Sequence, residues 1–126
     1  MITTDLTDDP VAEESTAILS FQVQDEDGNN LGADVLDSLT FTLYNKTDEA
    51  IINSRTGVDI LNAGPGTVDS DGIGEVVLDA DDNIIVGTLR AEDHMALFAW
   101  TWAGGSREGK HQVRIRVQNL GKVPSA

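Results

Sequence analysis

The side chains able to do acid–base or metal chemistry in this 126-residue chain are chiefly 22 Asp and Glu and two histidines, His94 and His111. There is no cysteine, which removes disulfides, thiolate nucleophiles and cysteine-ligated zinc or iron–sulfur sites together. Two histidines are too few for a three-histidine metal site. His94 does have Glu92 and Asp93 beside it, which suits either a His–carboxylate ligand pair or a hydrogen bond that caps the start of a strand. Acidic clusters at Asp25-Glu26-Asp27, Asp69/Asp71 and Asp79/Asp81/Asp82 raise the question of calcium, a hard ion that needs several oxygens at once. EF-hand spacing fails in each. From Asp79 the pattern reaches Asn83 correctly, but Ile84 stands where the loop needs glycine and Arg90 where it needs Glu. From Asp25 or Asp69 the glycine arrives too early. A looser calcium loop, or turns that use Asp to hold backbone amides, are the two readings left open. No Gly-x-Ser-x-Gly elbow occurs, and Ala103-Gly104-Gly105-Ser106 has no lysine in phosphate-loop spacing, so it reads as a hairpin turn. The carboxylates fall in predicted turns, without a recognisable cleft to hold a hydrolytic pair. The expectation is a protein that is not an enzyme and carries no cofactor and no metal.

Charge is distributed unevenly. Residues 1–93 hold 21 acids and 3 bases, residues 94–126 one acid and 5 bases, for a net −14. So acidic a chain repels a phosphate backbone, and nucleic acid is not the expected partner. The uncharged run Met95–Ser106 is too short for a membrane-crossing helix, and the acidic N-terminus lacks the positive region of a signal peptide, so no membrane role is expected. The basic C-terminal third places Arg114 and Arg116 on one strand face, with Arg107, Lys110 and Lys122 around it. These five are the candidate partner-binding residues; they suit an acidic partner surface, or else neutralise acidic loops of their own subunit. Trp100 and Trp102 share a strand face with Phe98, as core or as an anchor in a partner pocket.

The elements that must position these groups are strands. Leu19, Phe21 and Val23 alternate with polar residues, as do Leu39, Phe41 and Leu43, then Val113, Ile115 and Val117. Ile73–Leu78 is a further strand, Thr67–Asp69 a short candidate, and Ala50–Ile52 the return of a hairpin. Residues 53–66 read as loop with a possible single helical turn, and Asp79–Asn83 as a bend before Ile84-Ile85-Val86. His94–Trp102, apolar on both faces, reads as a strand central to a sheet and covered on each side. Residues 1–15 carry five acids without period and read as a flexible acidic N-terminal arm. Turn signals every 10 to 15 residues and no amphipathic helix point to an all-β sandwich, with a small closed barrel as the rival.

The run Glu92–Gly105, the strand ending Val117-Gln118-Asn119-Leu120, and the earlier Thr40–Tyr44 and Gly72–Leu78 resemble the small immunoglobulin-like virion proteins of tailed bacteriophages. The resemblance spans roughly residues 16–123. It implies an immunoglobulin-like β-sandwich of about seven short antiparallel strands at 16–123, preceded by the arm and followed by a short tail at 124–126. It implies a structural protein of the particle, assembled in the host bacterial cytoplasm: a capsid decoration or cement protein bound to the major capsid protein or other virion proteins in multiple symmetric copies. A neck or tail component is the next reading. A carbohydrate- or receptor-binding module, prompted by the loops and the two tryptophans, is the alternative of another class.

Overall fold

The two-residue rhythm becomes strand pairing in the computed structural model, which describes residues 2–8, 10–85 and 90–119. In chain order the strands are β1 (Ile2–Asp5), β2 (Val11–Ala12), β3 (Ala17–Gln22), β4 (Leu36–Asn45), β5 (Val58–Asp59), β6 (Gly66–Val68), β7 (Ile73–Leu78), β8 (Ala91–Trp102) and β9 (Arg107–Gln118). The larger sheet runs β1-β9-β8-β4-β5, with β2 also on β9; the smaller runs β3-β7-β6. All pairings are antiparallel except those of β1 and β2 with β9. The architecture is therefore an all-β domain of two packed sheets.

Alternation is a reliable guide wherever one face of a strand is buried. Leu19 and Phe21 point into the core from β3, Leu39, Phe41 and Leu43 from β4, and Val113, Ile115 and Val117 from β9. Phe21 of the smaller sheet stacks on Phe98 of the larger at a centroid distance of 3.9 Å and an interplanar angle of 11°, and Phe41 lies 5.4 Å from Phe98. This aromatic column joins the two sheets; burying each such ring contributes about 1.5–3 kcal/mol. The β8–β9 hairpin closes through Ala103, Gly104 and Gly105, all at positive φ (55°, 69° and 84°). Two consecutive glycines are what such a left-handed run requires.

Several elements differ from the sequence reading. Val58–Asp59 is a strand against Thr40 and Phe41, where a loop or helical turn was expected. Ile51 makes only a single bridge to Tyr44, and Ile52 donates its N–H to Leu43 O at 2.9 Å, so the expected hairpin return is a pinned loop. Ile84 and Ile85 lie in no strand, and Val86 falls outside the described residues. Strand β8 is central, between β4 and β9, but only its inner face is covered by the other sheet. Within the stretch expected as an arm, β1 and β2 lie along β9 in parallel, Thr4 opposite Val113 and Val11 opposite Val117. Their pairing comes from the backbone of β9, which needs no period in the added segment. There are nine strands among the described residues, not about seven.

Candidate docking surface

The basic residues singled out from the sequence do not form one free patch. Strand register sets Arg116 opposite Asp93 and Arg114 opposite Met95, two residues further along β8. Both arginines consequently reach the same carboxylate: Arg114 Nη2 is 2.6 Å from Asp93 Oδ2 and Arg116 Nε 2.8 Å from Asp93 Oδ1. The hydrogen bond from Arg116, then that from Arg114, hold the Asp93 carboxyl below the usual carboxylate range, against the opposing effect of burial. Arg107 pairs with Glu26 at the opposite end of β9. Lys110 is exposed and makes no ion pair among the described residues. Lys122 lies outside the described residues. The internal-neutralisation reading thus accounts for Arg107, Arg114 and Arg116, and a partner's carboxylate would have to compete with Asp93 for the two forks on the sheet face.

Lys110, Arg114 and Arg116 stand on the outward face of the larger sheet, whereas Arg107, opposite Trp102, falls on the other face at the strand's end. Along β8 the outward face carries Asp93, Met95, Leu97, Ala99 and Thr101, flanked by Ser38 to Tyr44 on β4 and Lys110 to Arg116 on β9. Gln112 Nε2 donates to Tyr44 Oη at 2.7 Å across the intervening strand, and Ser38 and Thr101 share a hydroxyl hydrogen bond of 2.6 Å. The result is a sheet face that sets Met95, Leu97 and Ala99 among polar ties, a mix of apolar and polar groups of the kind found where protein surfaces meet.

The tryptophans belong to the core. Trp100 and Trp102 are only 2% and 7% exposed, and Trp100 Nε1–H donates to Gln24 O at 3.1 Å. A recess of about 350 Å³ beside them is walled by Asp25, Glu26, Glu108 and Lys110. With both indoles buried, it offers no exposed aromatic plate on which a sugar ring could stack.

The acidic clusters serve the backbone. Asp25 Oδ1 accepts from the amides of Asp27 and Asn29, and Asp69 Oδ1 from those of Asp71 and Ile73, each at 2.9 Å. These are twin loops, each with a glycine at positive φ, Gly28 and Gly72, three residues after the Asp. Asp79 caps a single 3-10 turn at Ala80–Asp82 and forms a reciprocal capping box with Asp82. The fully buried Asp82 carboxylate accepts from Arg55 Nε and Asn53 Nδ2, both at 2.9 Å. Burial alone would push its carboxyl up; the bonds from Arg55, Asn53 and the Asp79 amide more than offset this and hold it below the usual range. Arg55 passed unnoticed in the sequence, although it is one of only 3 bases within residues 1–93.

Both histidines are buried. His94 Nε2 lies 2.8 Å from Glu92 Oε1, the partner its spacing suggested. His111, on β9, accepts the Gln22 N–H at Nδ1 (3.0 Å) and meets Thr4 Oγ1 at Nε2 (2.8 Å), so it ties β1, β9 and β3 together. With Nδ1 accepting, the ring is neutral and Nε2–H donates to Thr4. Among the described residues no group of three His, Asp or Glu side chains is arranged to hold a metal ion. Comparison with known proteins found no matching family model, no matching curated protein and no matching solved structure.

Proposed function

We propose that this protein is a structural component of a tailed-bacteriophage particle, a capsid decoration or cement protein held on the head surface by protein–protein contacts. The observation that supports this reading is the strand order. An immunoglobulin sandwich of the variable type sets strands C, F and G, extended by C′, against a sheet containing B, E and D. Labelling β3 to β9 as B, C, C′, D, E, F and G reproduces both sheets, with β1 and β2 as the first strand crossing to pair in parallel with G. That order accords with the immunoglobulin-like resemblance of Glu92–Gly105 and Gly72–Leu78, whereas a fold match alone carries no function. On this reading the docking face is the outward side of the larger sheet, where Leu97 and Ala99 lie beside Lys110, Gln112, Arg114 and Arg116. The partner is the major capsid protein, met in many symmetric copies, and the site of action is the virion.

Mass spectrometry of purified particles tests the proposal, followed by electron microscopy to locate the subunit. Stoichiometric copies on the capsid surface are expected. Absence of the chain from washed particles would sink the reading, and density at the neck or tail alone would replace the capsid assignment.

A further inference from the structure

The two sheets do not match in width at one side. Strand β3 packs over β9, yet the larger sheet continues past β9 with β1 and β2, and no described strand lies above them in the smaller sheet. The mismatch leaves a shelf of about 380 Å³, floored by Leu6, Pro10, Val11, Ala12 and Ile115 and walled by Ile18 and its neighbours on β3.

Among the described residues, that wall is a strand edge with no strand paired on its outer side. Val23 N–H goes to Gly72 O across the β3–β7 ladder, whereas Gln22 N–H turns away to His111 Nδ1. Alternation along a strand then directs the N–H and C=O of Ile18 and Ser20 to the same side as those of Gln22, toward the shelf. Their direct partners on β7, Val77 and Glu75, sit at non-hydrogen-bonded positions. At Gln22 the edge is already taken up, its N–H held by His111 Nδ1 at 3.0 Å. Edge strands are usually guarded by Lys, Pro or a bulge, but Thr16–Gln24 contains no charge and no proline. Ile18 is 62% exposed and faces Val77, itself 47% exposed, on the outer surface.

We infer that this shelf receives one extended β-strand from a partner protein, uncharged and alternately apolar in its middle and flanked by Lys or Arg, which adds to the free edge of β3. Only another extended backbone offers donors and acceptors at the spacing that Ile18 and Ser20 present. The floor restricts the occupant to a single strand: a second copy bringing its own sandwich alongside β3 would collide with β1 and β2. Charge selects the flanks. Among the described residues of the segment bordering the shelf, Asp5, Asp8, Glu13 and Glu14 are acidic and none is Lys or Arg; Asp8 and Glu14 are exposed. A second copy, at −14, meets repulsion there, and a cationic strand meets attraction. The inference does not depend on membership of a phage particle.

The test uses the full chain and two synthetic probes, Lys-Thr-Val-Thr-Val-Thr-Lys and its Glu-flanked counterpart, with amide exchange followed residue by residue by NMR. In the free protein the Ile18 and Ser20 amides should exchange rapidly. The Lys-flanked probe should slow both by tenfold or more, and the Glu-flanked probe should bind at least tenfold more weakly. Ser20→Pro deletes an N–H that the β3–β7 ladder does not use, so the fold should persist while binding falls tenfold or more. Glu14→Lys, well outside the core, should narrow the gap between the two probes. The inference is overturned if Ile18 and Ser20 are already protected in the free chain, if protection maps to another edge, or if Ser20→Pro binds as wild type. Protection that grows with protein concentration alone would show a second copy as the occupant and equally overturn it.

Discussion

His111 and Asp82 are both buried, yet they respond to acid in different windows. Burial pulls the His111 pKa below its ordinary value of 6.5, because taking the ring out of water disfavours its charged form. The folded protein therefore binds this proton less readily than the unfolded chain does. As pH falls past about 6.5 the unfolded state protonates first, and stability drains away until the lower folded pKa is reached. Asp82 and Asp93 have depressed pKa values, so their contribution is whole above the unfolded value of about 3.9 and is lost as pH falls through the folded one. Urea unfolding from pH 8 to 3 should show a first decline below about 6.5 and a second, steeper one below about 4. In His111→Asn the first decline should shrink while the second stays. An unchanged slope between pH 6.5 and 5 in that variant would assign the first phase to another group.

At the scale of elements, the two sheets use one packing device twice. Phe21 lies directly opposite Gly74 in the smaller sheet and Trp100 directly opposite Gly109 in the larger. Each ring lies over the space where its glycine would carry a Cβ: that atom would fall 2.3 Å from the Phe21 ring, or 2.6 Å from Trp100 Nε1. Gly74→Ala must therefore displace Phe21 from its stack on Phe98, at a cost of about 1–3 kcal/mol. Phe21→Leu should relieve part of that clash, so the double variant should lose less stability than the two single losses added together. Strict additivity in urea unfolding would show that the ring and the glycine are not coupled. The same pairs mark how far local pattern reaches. Phe21 and Trp100 announce themselves by alternation, since a half-buried strand repeats every two residues. What faces them is a matter of register, which the chain does not display locally. The same gap concealed the Arg114–Asp93–Arg116 clamp, whose partners lie 21 and 23 residues apart, and the Arg55–Asp82 pair, 27 apart. Strands β1, β2 and β5 stayed hidden because four or fewer residues carry no period and β9 or β4 supplies their pairing.

For the whole molecule, net charge decides how salt acts, and it acts in opposite directions on folding and on docking. Of the 8 bases, Arg55, Arg107, Arg114 and Arg116 are already paired with carboxylates of the same chain, leaving most of the acids without a counter-charge. Their mutual repulsion raises the free energy of the compact state. The screening length falls from about 30 Å at 0.01 M salt, comparable with the whole domain, to about 10 Å at 0.1 M. Repulsion across the molecule is then largely suppressed, whereas the buried Arg55–Asp82 pair is scarcely touched. Raising NaCl from 0.01 to 0.15 M should stabilise the free protein by about 1 kcal/mol, a few degrees in Tm. The same screening removes the attraction between the acidic rim of the β3 shelf and a cationic strand, so binding of the Lys-flanked probe should weaken over that interval. Calorimetry and a binding titration on one preparation check both signs. A Tm that falls with salt would mean that the exposed ion pairs outweigh the repulsion, and a salt-independent titration would remove charge from the account of what the shelf selects.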